Sequence, residues 1–247
     1  MGIKPIDLTN IYNPESFSTG RDAQHSCLFK LKRKPFEKIA ASFPELIHAS
    51  ALSERDATLL ERKIENSCRK ILMACKAGEK AISCEEEIMV GQDREIPALI
   101  WDDEIELLYH VEAMILFARS FLDIIAYIFS AFLFSKRIDS FNEFRRRLVK
   151  APDEKRVNIL RKYLFKCESI QESWINLLVG TEKGRSLRDK IAHQTIVAIE
   201  YDRTEPTWED LFCHVSFGGK LIPLENLVKE ITEGIVNFCL ATEDAIS

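Results

Sequence analysis

With 247 residues the chain has room for one large domain or two small ones, and 46% hydrophobic against 30% charged residues is the balance of a chain that buries a core in water. Only 9 Gly and 8 Pro argue against a loop-dominated or all-β fold. The net charge of −5 excludes a whole-protein basic field, so contact with nucleic acid would have to use local patches.

The seven cysteines, at 27, 68, 75, 84, 167, 213 and 239, are odd in number and widely spaced, with no CxxC pair and no HExxH. This pattern predicts reduced, mostly buried thiols in a cytoplasmic protein, with no zinc site and no cofactor. The start, MGIKPIDLTN, lacks the apolar core of a signal peptide.

Residues 1–35 have no periodicity and hold Pro5, Pro14, Gly20 and Pro35, so they read as an extended arm closing in the solvated basic string KLKRK at 30–34. A helix follows over 53–77. Ser53 is its N-cap, Glu54 and Asp56 favour its first turn, and Leu60, Ile64, Cys68, Ile71 and Cys75 form one apolar face. Gly78, Gly91 and Pro97 mark breaks in 78–100, where helix and strand remain open.

The longest helix is expected over 102–136. It is apolar nearly all round and therefore central. Its segment Val111 to Phe134 resembles a membrane span, but Glu112, Arg119 and Asp123 interrupt it, and no membrane crossing is expected. These three charges fall at spacings of seven and four, on nearly one side, where buried charges need partners; Arg119 and Asp123 are placed to pair.

Helices are next expected over 140–150, over 152–167 with Pro152 at its start, and over 168–179 around Trp174. After a turn at 180–184 a short helix, about 185–193, carries the sequence LRDKIAHQ. Two β-branched and aromatic strands, 195–201 and 211–217, precede a turn at Gly218-Gly219 and a closing helix from Pro223 to about Glu243. The expected fold is mainly α: an antiparallel helical bundle with a small β-hairpin before the C-terminal helix.

The short helix holds the densest chemistry. Asp189 and His193 are four apart, so the carboxylate can orient the imidazole and favour its charged form. Arg185 continues that face, and Arg188 can swing toward the imidazole or meet a partner chain's histidine. Arginine, histidine and a helix start together describe a phosphate site. Ser186-x-x-Asp189 also reads as a capping box, which would occupy Asp189 with backbone groups.

At these residues the chain resembles the HEPN superfamily, helical-bundle proteins widespread in prokaryotes. Its signature, an Arg usually followed by Asn, Asp or His and then a His four to six residues beyond, is matched by Arg188, Asp189 and His193. A helix pattern of the family, Glu-x6-Arg-x3-Asp, is matched by Glu112, Arg119 and Asp123. The resemblance covers 101–247 and leaves 1–100 as an N-terminal arm and helical region.

The resemblance implies a metal-independent endoribonuclease, a toxin or defence effector working as a homodimer and restrained by an antitoxin or regulatory protein. His193 would be the acid/base group, Arg188 would hold the scissile phosphate, and Asp189 would orient the imidazole. Lys183, Arg185 and Lys190 would bind flanking RNA phosphates. Many members lose activity, so the alternative is an inactive module that binds a nucleotide or partner.

Overall fold

A computed structural model describes residues 3–12, 33–91, 101–134, 136–180, 185–192, 197, 199–201 and 213–246. The fold is mainly α, as expected. Its helices are α1 (Glu37–Ala41), α2 (Phe43–Ala49), α3 (Glu54–Gly91), α4 (Trp101–Phe134), α5 (Phe141–Lys150), α6 (Lys155–Glu168), α7 (Trp174–Val179), α8 (Leu187–Ala192) and α9 (Leu224–Ile246). The strands are β1 (Ile199–Tyr201), β2 (Cys213–Phe217) and β3 (Lys220–Pro223).

Contacts divide the chain into two compact units: Met1–Leu72, Ser120–Ser169 and Ile235–Ser247 form the first, and Met73–Arg119 with Ile170–Gly234 the second. Helices α3, α4 and α9 each contribute a segment to both.

In the first unit an aromatic cluster fills the core. Phe238 of α9 meets Phe141 edge-on at 5.5 Å and Phe129 at 6.4 Å between ring centroids. Phe36, which precedes α1, takes a left-handed conformation (φ 69°) that is uncommon for a bulky residue. Its fully buried ring lies 6.3 Å from Phe121 and 6.1 Å from Phe129, and this burial offsets a backbone cost on the order of 1–3 kcal/mol.

Part of the expected arm is built into this core. Ile6, Leu8, Ile11 and Tyr12 are buried, the Tyr12 hydroxyl donates to the Pro35 carbonyl at 2.9 Å, and the Ile6 N–H donates to Ala40 at 3.0 Å. Arg33, within the basic string, is partly buried and paired: it donates to Asp244 at 2.7 Å and to the Leu240 carbonyl at 3.1 Å.

The start of α6 also departs from expectation, at Lys155 rather than Pro152. Arg161 explains it. Its guanidinium reaches back to the Leu148 carbonyl (3.0 and 3.1 Å), to the Ala151 carbonyl (2.7 Å) and to Asp153 (2.7 Å), holding residues 151–153 as a non-helical corner at the end of α5.

In the second unit α3 runs straight through Gly78, the expected break. A β-carbon at Gly78 would come within 2.7 Å of Val228 and 3.0 Å of the Met114 sulfur, so this glycine marks close helix packing. The helix expected over 168–179 shrinks to α7, because the Asn176 amide donates to the Ile170 carbonyl at 2.7 Å and fixes a turn before Trp174.

Among the described residues the sheet has three antiparallel strands with β2 central, one more than expected. Ile199 pairs with Val215, and Val215 with Ile222. Gly218 and Gly219 have φ of 59° and 81°, the two positive values that a two-residue hairpin turn needs. Cys213, Val215 and Phe217 are buried while His214 and Ser216 alternate outward, so Cys213 and His214 point apart.

Among the described residues one helix, over Glu104–Phe134, is long and apolar enough to cross a membrane, and 67% of its most apolar window is buried within the fold. Leu107, Val111, Met114, Ala118, Leu122 and Ile125 are among its buried side chains, as in a core helix.

Candidate functional site

Helix α8 is short, and its first turn is set by Ser186. The Ser186 hydroxyl accepts the Asp189 N–H at 3.0 Å, and the Ser186 carbonyl accepts the Lys190 N–H at 3.1 Å. Ser186 and Leu187 are buried, which anchors the helix beside α7. The Asp189 carboxylate answers from the other side. Burial pushes its pKa up, but hydrogen bonds from Ser186 and the Arg188 guanidinium prevail, and the net shift is downward. This is the reciprocal capping box that the Ser-x-x-Asp spacing forecast. It uses N–H groups that an anion at the helix start would otherwise find.

Arg188 follows the cap. Its Nη1 lies 3.2 Å from Asp189 Oδ1, and the two side chains are 45% and 36% exposed, so both sit at the solvent edge. Lys190 turns toward the sheet: Nζ donates to the Ser216 carbonyl at 3.4 Å and lies 5.9 Å from the Phe217 ring centroid. Arg185 is exposed. Lys183 and His193 lie outside the described residues.

Three of the charged residues of α4 stand out by their spacing. Glu112 belongs to the same unit as α8, and its carboxylate accepts the N–H of Val197, just beyond the motif, at 3.4 Å. Arg119 falls at the end of that unit's α4 segment. Asp123 belongs to the first unit, where its Oδ1 accepts the Phe141 N–H at 2.9 Å and caps α5. Arg188, Asp189 and Lys190 are therefore grouped on α8, Glu112 touches the chain that follows it, and Asp123 has a local structural task.

Sequence reasoning passed over a cavity of about 710 Å³ in the first unit, lined by Arg55, Asp56, Thr58, Leu59, Arg62 and Arg137. Arg55 and Arg62 are seven apart on α3, which was visible, but Arg137 comes from a distant segment and pairs there with Asp56. The metal-donor cluster formed among the described residues, Cys84 with Glu106 and His110, includes no residue of α8.

Comparison with models of known families, with curated proteins and with solved structures finds no match to this chain.

Proposed function

We propose that this chain is a metal-independent endoribonuclease of HEPN type. The observation that carries the reading is the solvent-edge Arg188 guanidinium beside Asp189 on a capped helix, at the position of the Arg-x4-His motif. Arg188 exchanges the Asp189 carboxylate for a scissile phosphate, a charge-assisted and geometrically similar partner. His193 takes the proton of the ribose 2′-hydroxyl; the 2′-oxygen attacks phosphorus; the 5′-oxygen leaves and receives a proton. The products are a 2′,3′-cyclic phosphate and a 5′-hydroxyl end. The ribose supplies the nucleophile, so this step needs no metal-activated water.

Arg185, Lys183 and Lys190 contact flanking phosphates, and two copies of the motif face one another in a cytoplasmic homodimer restrained by an antitoxin or regulatory protein. A second reading, an inactive module that holds a nucleotide or partner carboxylate, is favoured by one observation: Asp189 is already engaged by Ser186 and Arg188 and has less freedom to orient an imidazole. Incubation of purified protein with RNA in EDTA separates the two. The nuclease gives cyclic-phosphate ends that disappear in His193→Ala. Equal cleavage by that variant removes the nuclease reading, and RNA left intact by the native chain, but bound, establishes the second.

A further inference from the structure

Helices α3 and α4 bring three donors of different chemistry to one place in the second unit. Cys84 comes from α3. Glu106 and His110 stand one turn apart on α4, with His110 Nε2 3.7 Å from Glu106 Oε1. One ligating atom from each of the three residues lies within 4.8 Å of the other two. The ligands of a tetrahedral ion with bonds of about 2.0–2.3 Å sit roughly 3.5 Å apart, so closing the triangle takes about an ångström of side-chain movement.

We propose that Cys84, Glu106 and His110 bind one zinc ion that ties α3 to α4. A thiolate, an imidazole and a carboxylate together suit zinc, whereas calcium and magnesium take oxygen ligands. The burial is graded in the same sense. Cys84 is 6% exposed, the His110 side chain 19% and the Glu106 side chain 64%, so the sulfur is shielded while the carboxylate edge admits the ion and a water as fourth ligand. Binding displaces the thiol proton to solvent and holds the imidazole neutral. The two α4 ligands use the four-residue spacing that aligns side chains on one helix face, and the third lies on another helix, outside any local cysteine motif. The ion takes no part in the proposed RNA cleavage, so the proposal stands or falls separately from the ribonuclease reading.

Reduced full-length protein, freed of metal by a chelator, is titrated with Zn²⁺ and, as a spectroscopic probe, Co²⁺. Expected are one bound equivalent, a thiolate-to-cobalt charge-transfer band, and a higher thermal midpoint with zinc. Cys84→Ser should abolish the band, His110→Ala should weaken affinity at least about tenfold, and Cys167→Ser, which changes the half-exposed thiol of α6, should alter neither. Should Cys84→Ser fail to fold, His110→Ala and Glu106→Gln decide, because Glu106 is exposed and His110 is only partly buried on α4. No saturable binding near one equivalent overturns the proposal, as does a band or affinity that survives unchanged in the ligand variants.

Discussion

The indole of Trp174 lies against the backbone of α9 at Gly234, so closely that a β-carbon on that glycine would overlap the ring and come within 2.7 Å of the Trp174 Cβ. Trp174 is buried, and its backbone N–H donates to the Glu230 carboxylate at 2.9 Å. The tryptophan therefore has little room to yield.

Gly234→Ala tests this contact. Alanine improves helix propensity by about 1 kcal/mol, but overpacking a fixed core side chain costs about 1–3 kcal/mol, so a net loss of stability is expected. Gly78→Ala meets only the ends of Val228 and Met114 and should cost less. Urea unfolding of both variants measures the order, and a Gly234→Ala chain as stable as the native one contradicts it.

Ser186→Ala removes the cap of α8 and leaves the Asp189 N–H without its side-chain acceptor. A stability loss of about 1 kcal/mol is expected. The same change withdraws the side-chain hydrogen bond that lowers the Asp189 pKa, which should move up toward the ordinary carboxylate range, while the backbone N–H of residue 186 keeps its share. Carboxyl NMR titration of native and variant protein reads this shift; identical titrations would disprove the capping box.

Glu243 should give the fold a pH dependence. Burial raises its carboxyl to about 7 from 4.5, against backbone hydrogen bonds from Ile39 and Phe36 and the Arg33 charge, which lower it. Below 4.5 both folded and unfolded states hold the proton and its contribution is complete. As pH rises toward 7 the unfolded chain releases the proton first, so stability falls, by roughly 3 kcal/mol once both states are ionised. Glu85, raised by burial in the same direction, adds to the slope, so the test is the difference from Glu243→Gln. That variant should be more stable than the native chain at pH 8 and equal it near pH 4; parallel stability curves would show that Glu243 does not titrate this way.

Arg188→Ala should lower RNA cleavage by about 10²–10³-fold, the effect of losing one charge-stabilising donor. Its half-exposed side chain makes no large contribution to packing, so thermal unfolding should be nearly unchanged. Retained cleavage would remove Arg188 from the proposed reaction and leave its pairing with Asp189 as its task.

How much was legible depended on the range of the forces involved. The long helix α4 and the closing helix α9 follow from apolar periodicity, which is local, and both lie within a few residues of the expected spans. Helices α1 and α2 were not anticipated: Phe36 enters α1 in a conformation that only its burial sustains. Gly78 resembled a break because its reason, the approach of Val228, comes from 150 positions away. The Ser186–Asp189 cap was readable, since both ends of the bond lie within one turn. Asp123 was not, because Phe141 is set against it by folding rather than by spacing.

The paired glycines at 218 and 219 bear on the order in which the sheet assembles. A two-residue link already suited to reversing the chain closes at small entropic cost, and closing the longer connection from β1 to β2 costs more. Strands β2 and β3 thus form a tightly linked hairpin, and β1 completes the sheet against its β2 edge.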